Sequence, residues 1–170
     1  MTIKNNSTGF SLIELLIVIV IIGILAALAV AGLLASKRSA NEGSCIASLR
    51  MLHSAQMTYA SSIGKGEYLG DIGAGTLTGL AQLNSIGLID TILGGGTKSG
   101  YRIVGGREAS SATTTAQFFF SAIPISSGVV TGTGIHRIGV ATDGVLKSDT
   151  TDTLHYADVN AVLAAPPINN

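Results

Sequence analysis

The chain has 170 residues, no net formal charge at pH 7, one cysteine (Cys45) and no tryptophan. This length suits one modest domain with an appendage, and the balanced charge gives no reason to expect nucleic acid or an anionic membrane surface as a partner. A single cysteine excludes an internal disulfide, and without a CxxC motif or a Cys/His cluster the sequence offers no Cys- or His-based site for metal or electron-transfer chemistry.

The excess of apolar residues lies near the N-terminus. Mean hydropathy is +0.51 and only 12% of residues are charged, yet the segment from Phe10 to Ala35 reads FSLIELLIVIVIIGILAALAVAGLLA, with Glu14 as its only ionisable side chain. The uncharged run from Leu15 to Ser36 would span roughly 30 Å as a helix, which matches the hydrocarbon core of a bilayer. We therefore predict a membrane-spanning helix.

Two other interpretations of this segment are a buried core helix and a secretory signal peptide. A core helix that is apolar on every face is rare in a chain of this size. A signal peptide has a shorter apolar region followed by a small-residue cleavage site. Here the run is longer, and the leader before it, MTIKNNSTG, is polar with a single positive charge at Lys4.

Glu14 does not fit a plain anchor. A carboxylate inside a membrane segment costs about 2.5–3.5 kcal/mol unless it lies near the interface or finds a partner, so it is a candidate functional residue. The positive end of the helix dipole would help the membrane to tolerate it.

The run Gly9-Phe10-Ser11-Leu12-Ile13-Glu14 resembles the prepilin peptidase signature of the type IV pilin and pseudopilin superfamily, and the resemblance continues through LLIVIVIIGILAALAV. It implies a leader peptide at 1–9, cleavage between Gly9 and Phe10, N-methylation of Phe10 and an assembly role for Glu14. It also implies an α+β pilin fold.

Cleavage would create a cationic α-amine at Phe10, about one helical turn from Glu14. In an assembled bundle the amine of one subunit could meet the carboxylate of a neighbour. A charge pair in apolar surroundings is poor evidence for stability, but it can fix register.

One departure from the family concerns helix flexibility. Pilins often carry a proline where this chain has Ala31, and their helices are thought to stretch between a glycine and that proline. Gly23 corresponds to the glycine, and Gly32 follows the missing proline. Since Gly costs only about 1 kcal/mol in a helix against about 3 kcal/mol for Pro, we expect a weaker or displaced melted stretch.

The charges that flank the segment do not fix its orientation. Lys4 precedes it, whereas Lys37, Arg38 and Arg50 follow it. The resemblance implies a single-pass inner-membrane precursor whose C-terminal domain is periplasmic.

Residues 37–63 continue the helix in amphipathic form and follow the transmembrane half, 10–36. The predicted packing face is interrupted once by Gln56, Gly43 could mark a bend, and Gly64 ends the helix. Cys45 lies on this face as a small hydrophobe. The face comprises Cys45, Leu49, Leu52, Gln56, Tyr59 and Ile63, and opposite it lie Arg38, Glu42, Arg50 and Ser54.

Residues 64–98 form the predicted connection between helix and sheet, with one short helix from Leu77 to Ile86 and GGG at 94–96 as its end. Period-two segments then predict an antiparallel sheet of three or four strands in 99–170, packed on the amphipathic helix. These segments are 101–104, 116–125, 135–141 and 145–147, with loops at 105–115 and 126–134 and a tight turn at Asp143-Gly144.

The consecutive residues Phe118, Phe119 and Phe120 cannot all face one way. We predict two in the helix–sheet core and one on the other face, at a subunit contact.

Catalytic and metal sites have little support. His53, His136 and His155 are isolated, and no nucleophile–base arrangement appears, so we predict no enzyme. No cofactor is expected apart from calcium, which related pseudopilins bind with loop acids; here these would be Asp149, Asp152 and Asp158, which match no EF-hand spacing and are interpreted first as solvated turn acids.

The leading hypothesis is therefore a type IV pilus subunit that polymerises with itself. Its partners would be prepilin peptidase and the pilus or secretion machinery of the inner membrane. A pseudopilin of a type II secretion system and a membrane-anchored binding domain that never polymerises are the alternatives. The same architecture serves adhesion, motility, DNA uptake and secretion.

Overall fold

The computed structural model describes residues 9–73, 75–126, 128, 132–150 and 153–168. Residues 1–8 of the predicted leader, Asp152 and part of the 126–134 loop therefore lie outside the described residues. The chain forms two compact units, Met1–Ser36 and Lys37–Asn170.

Helix α1 runs from Leu12 to Ser62 without a break at Gly23, Gly32 or Gly43, as the apolar and then amphipathic patterns predicted. In the first unit its residues are exposed, apart from the half-exposed Leu34. Within the described part of the chain, α1 is the one helix long and apolar enough to cross a membrane.

The second unit packs α1 against an antiparallel sheet, so the predicted α+β class is confirmed. The sheet has five strands in the order β1-β2-β3-β4-β5, against the three or four predicted, because the two-residue β1 also pairs with the start of β2. The strands are β1 Thr97–Lys98, β2 Tyr101–Glu108, β3 Gln117–Pro124, β4 Arg137–Ala141 and β5 Leu146–Asp149.

The packing face of α1 follows the predicted stripe through Gln56, and Cys45 is buried on it as expected. Tyr59 is half-buried, and Ile63 is 66% exposed because the helix ends at Ser62, before it could reach the core. The prediction that Glu42 lies on the opposite face, away from the core, is wrong: Glu42 is half-buried and hydrogen-bonded to the chain before β4.

Strand β2 extends to Glu108, so the predicted loop at 105–115 is wrong in its first four residues. The Gly105-Gly106 pair indicates a loop by composition. In the fold, Gly105 faces Phe120 across the β2–β3 pairing, and a Cβ at Gly105 would collide with the Phe120 ring. Glycine is needed here for close packing of a ring on the backbone.

The phenylalanines alternate as predicted. Phe118 and Phe120 lie in the core between helix and sheet, and Phe119 lies on the other face. Phe119 is not at an exposed subunit contact, however, because the C-terminal segment covers it with Tyr156 and Val159.

Short elements account for the other differences. Helix α2, Thr78–Ser85, lies where one was predicted, with Leu80 and Leu83 buried. The sequence pattern did not predict α3, Thr91–Gly94, or α4, Val159–Ala164, because a helix of at most six residues is too short to show a helical period. The start of each is marked by an aspartate whose side chain accepts from the backbone: Asp90 from Leu93 N–H and Asp158 from Ala161 N–H.

The start of β4 differs from the prediction, whereas its end and the turn that follows agree with it. Strand β4 begins at Arg137 rather than at Ile135, because the N–H groups of Ile135 and His136 donate hydrogen bonds to Glu42. At the other end, the turn before β5 forms as predicted: Gly144 N–H donates to Ala141 O at 2.9 Å, and Gly144 adopts a φ of 71°.

Candidate functional site

The N-terminal end of α1 brings together the residues that the sequence predicted for processing and assembly. Ser11 carbonyl oxygen accepts from Glu14 N–H at 3.1 Å and from Leu15 N–H at 3.2 Å, which closes the first turn. Gly9 and Phe10 precede this turn and are exposed. The Gly9–Phe10 bond therefore lies exposed and outside the helix, where a peptidase could reach it.

Glu14 has no ion-pair partner within the described ranges. It is exposed in the first turn of α1, where the free N–H groups favour a negative charge. The next basic residue after it in the chain is Lys37. Compensation for this carboxylate must therefore come from outside the helix segment that carries it.

The side chains around Glu14 are large, apolar and exposed. Phe10 is 80% exposed, Leu12 82% and Ile13 66%. Burying a side chain of this kind contributes about 1.5–3 kcal/mol. Such a surface favours an environment of lipid or of other apolar helices over water.

Gly23 and Gly32 both lie inside α1, and no side chain would contact a Cβ at either position. They leave the helix surface open to the close approach of another helix. Their predicted role in helix stretching stays a prediction.

A second polar cluster, not predicted, holds α1 to the start of β4. Glu42 Oε1 accepts from Ile135 N–H at 2.8 Å and from His136 N–H at 3.3 Å, while Oε2 lies 3.1 Å from His136 Nδ1. Tyr101 Oη donates to the same Oε1 at 3.4 Å. Burial alone would raise the pKa of Glu42, but these hydrogen bonds and the His136 charge outweigh it and hold the pKa below its ordinary value.

No sequence signal identified this cluster. Glu42 and His136 are 94 residues apart, and neither belongs to a motif. Two of the four groups that contact Glu42 are backbone N–H groups, which every residue except proline carries. The cluster is therefore interpreted as a structural contact that holds α1 to the chain before β4.

The acids considered for calcium are engaged separately. Asp149 Oδ2 accepts from Arg137 Nη2 at 2.6 Å, and Asp158 caps α4. Asp152 lies outside the described residues. Across the described ranges, no three His, Cys, Asp or Glu side chains lie close enough together to hold a metal ion.

The histidines are also separate from one another. His53 Nε2 lies 3.4 Å from Thr142 O, His136 pairs with Glu42, and His155 Nδ1 lies 3.2 Å from Ser121 Oγ. Ser121 is fully buried and accepts a bond from Tyr156 N–H. Burial lowers the pKa of His155. Since no substrate could reach Ser121, the Ser121–His155 contact is structural.

Comparison with known families gives a match in the part of the chain that contains the N-terminal end of α1. The prokaryotic N-terminal methylation motif matches residues 4–30. This motif is the prepilin-type signal, which confirms the resemblance drawn from Gly9 to Glu14. No curated protein and no solved structure matches the chain significantly.

The motif and the helix lead to the same coarse description. The motif implies processing by prepilin peptidase and assembly into a pilus-type polymer, and the proteins that carry it are structural. The long apolar helix fits membrane anchoring.

Proposed function

We propose that this chain, which carries the prepilin-type signal of type IV pilins and pseudopilins, is the structural subunit of a type IV pilus. One observation carries the proposal: the motif at 4–30 overlaps a helical segment whose apolar side chains are exposed all round. The signal supplies the processing step, and the exposed helix supplies the surface for polymerisation.

The precursor would sit in the inner membrane with its N-terminus cytoplasmic and Lys37–Asn170 periplasmic. Prepilin peptidase would hydrolyse the Gly9–Phe10 bond and then transfer a methyl group from a separate sulfonium methyl donor to the new amine of Phe10, which loses one proton. This amine remains cationic after methylation.

Polymerisation would then move the helix from lipid into a bundle of identical helices. Dispersion packing between helices replaces contacts with lipid chains, so the apolar surface alone gives little directional preference. The Phe10 amine of one subunit and the Glu14 carboxylate of its neighbour would supply that preference. Each subunit would stop at the axial height where both charges are neutralised.

A pseudopilin of a type II secretion system is the second candidate, because the same motif occurs in both kinds of protein. Both use the same cleavage and the same helix. They differ in where the polymer ends: a pilus extends from the cell, whereas a pseudopilus stays short and periplasmic.

The first test examines the N-terminus and the polymer together. We expect mass spectrometry of the mature chain to begin at methylated Phe10, and electron microscopy of sheared surface material to show long fibres containing it. Methylated Phe10 without surface fibres would favour the pseudopilin. A mature chain that keeps residues 1–9 would refute both and leave a membrane-anchored domain that does not polymerise.

The second test examines Glu14 in a strain that lacks the wild-type chain. We expect Glu14→Gln and Glu14→Ala to be cleaved at Gly9 but to give at least tenfold fewer fibres, since tenfold corresponds to about 1.4 kcal/mol of lost pairing energy. Glu108→Gln, at the end of β2, is the matched control and should assemble normally. Normal fibres from both Glu14 variants would show that the carboxylate does not set register.

A further inference from the structure

We propose that Lys37 and Arg38 form a binding site for the phosphate groups of anionic phospholipids, at the membrane surface opposite the N-terminus. The inference rests on the membrane-anchored stage of the proposed function. It adds a ligand class that the methylation motif, at 4–30, does not cover.

The position of the two residues follows from helix length. The run Leu15–Ser36 is uncharged, and at about 1.5 Å per residue it reaches roughly across the hydrocarbon core. Lys37 and Arg38 are the first charges after it. Basic side chains at the end of such a run extend their charged groups to the headgroups while their aliphatic parts stay against apolar surface.

Within the described residues, no ion pair neutralises these two charges. Arg38 is half-buried, and its Nε is buried without a hydrogen-bond partner in the described part of the chain.

The acid expected to pair with Arg38 is occupied elsewhere. Glu42 is four residues later on the same helix, a spacing that favours a salt bridge. Its oxygens instead accept from the N–H groups of Ile135 and His136 and contact the His136 ring. The fold therefore withdraws Glu42 from Arg38 and leaves a pair of adjacent cations.

Anionic phosphate is the chemistry that fits. Arg offers a planar fork of N–H donors, and Lys offers a compact ammonium, which together suit phosphate oxygens. The neutral balance of the whole chain conceals this local excess. A zwitterionic lipid also carries a phosphate, but its own cation competes with Lys37 and Arg38, so we expect a preference for lipids with net negative charge.

The test uses the full-length precursor in vesicles of equimolar phosphatidylglycerol and phosphatidylcholine. Electron paramagnetic resonance measures how strongly spin-labelled analogues of each lipid associate with the protein. We expect wild type to prefer phosphatidylglycerol by about fivefold for each basic residue at the surface. Lys37→Gln/Arg38→Gln should lose this preference.

The matched control is Arg50→Gln/Lys65→Gln, which removes the same charge away from the membrane end. Arg50 lies about 18 Å beyond Arg38 along the helix, and Lys65 lies past the helix end at Ser62. The control should keep the wild-type preference. An unchanged preference in Lys37→Gln/Arg38→Gln, or an equal loss in both variants, would overturn the proposal.

Treating the protein in the same vesicles with prepilin peptidase distinguishes a failure of the lipid site from a failure of the proposed function. If the lipid preference is absent while Gly9–Phe10 is cleaved, the lipid site is wrong and the pilin assignment stands. If the bond is not cleaved in wild type, the proposed function fails, whatever the lipid preference.

Discussion

The side-chain amide of Gln56 and the backbone of Leu69 exchange two hydrogen bonds. Gln56 Nε2 donates to Leu69 O at 2.7 Å, and Leu69 N–H donates to Gln56 Oε1 at 3.0 Å. Gln56 is 1% exposed. The polar residue that interrupts the apolar face of α1 thus ties the chain after the helix back onto it.

Gln56→Ala should lower the free energy of unfolding by about 2–4 kcal/mol, because it leaves buried backbone groups of Leu69 unpaired and opens a cavity. Urea unfolding of the full chain in detergent would measure this by tyrosine fluorescence. The chain has no tryptophan and four tyrosines, at 59, 68, 101 and 156, all within the second unit. Ser54→Ala, at an exposed position of the same helix, is the control and should change stability by less than about 0.5 kcal/mol. Equal urea midpoints for the two variants would contradict the role of Gln56.

Acid should weaken the hydrogen bonds between Glu42 and the chain before β4. The pKa of Glu42 lies below its ordinary value of 4.5, so its contribution to stability is complete above that value and is lost as pH falls through the lowered, folded-state pKa. We expect wild type to lose stability steadily below about pH 4.5. Glu42→Gln should be less stable at neutral pH and should lose less on acidification.

The comparison of wild type with Glu42→Gln isolates this residue from other acids. Hydrogen bonds also lower the pKa values of three other acids. The bond with the largest effect comes from Ser110 Oγ for Glu67, from Thr78 Oγ1 for Asp71 and from Leu93 N–H for Asp90. These acids make the stability of both proteins fall with pH. Parallel stability curves for the two proteins between pH 7 and pH 3 would show that Glu42 contributes nothing pH-dependent.

Gly105→Ala should destabilise the second unit by about 1–3 kcal/mol, since the new methyl group would overlap the Phe120 ring in the core. Thermal unfolding followed by tyrosine fluorescence provides the measurement. Gly43→Ala is the contrasting variant: nothing lies within 4 Å of a Cβ there, and alanine favours the helix by about 0.5–1 kcal/mol. The two substitutions should therefore shift the melting temperature in opposite directions, and a shift of the same sign would contradict this packing.

Cys45 should be unreactive in the folded chain. Burial raises the pKa of its thiol well above the ordinary value, with a further increase from the Glu42 charge, and the thiolate is the reactive form. Maleimide labelling in detergent should be at least a hundredfold slower than in urea, because it requires unfolding that costs several kcal/mol. Ser54→Cys/Cys45→Ser places the thiol at an exposed site of the same helix and should label rapidly in both conditions. Fast labelling of folded wild type would show that the helix–sheet core opens readily.

The helix from Leu12 to Ser36 was predictable from sequence. An apolar run of this length allows few structures, because a helix satisfies its own backbone hydrogen bonds wherever it lies. The prepilin-type signal at residues 4–30 is a continuous stretch of sequence, so it can be identified without knowledge of the fold. The alternation of Phe118, Phe119 and Phe120 also follows from strand geometry alone.

Contacts between distant residues were decided by the tertiary structure. From sequence alone, Glu42 is interpreted as a solvated charge, but in the fold α1 packs beside the chain before β4 and Glu42 is hydrogen-bonded there. Gly105 is likewise interpreted as a loop residue, but in the fold the Phe120 ring lies over it. Phe119 reads as exposed until residues 156–162 cover it. A periodic pattern specifies which face of an element is apolar, but the partner of that face depends on where the rest of the chain comes to lie.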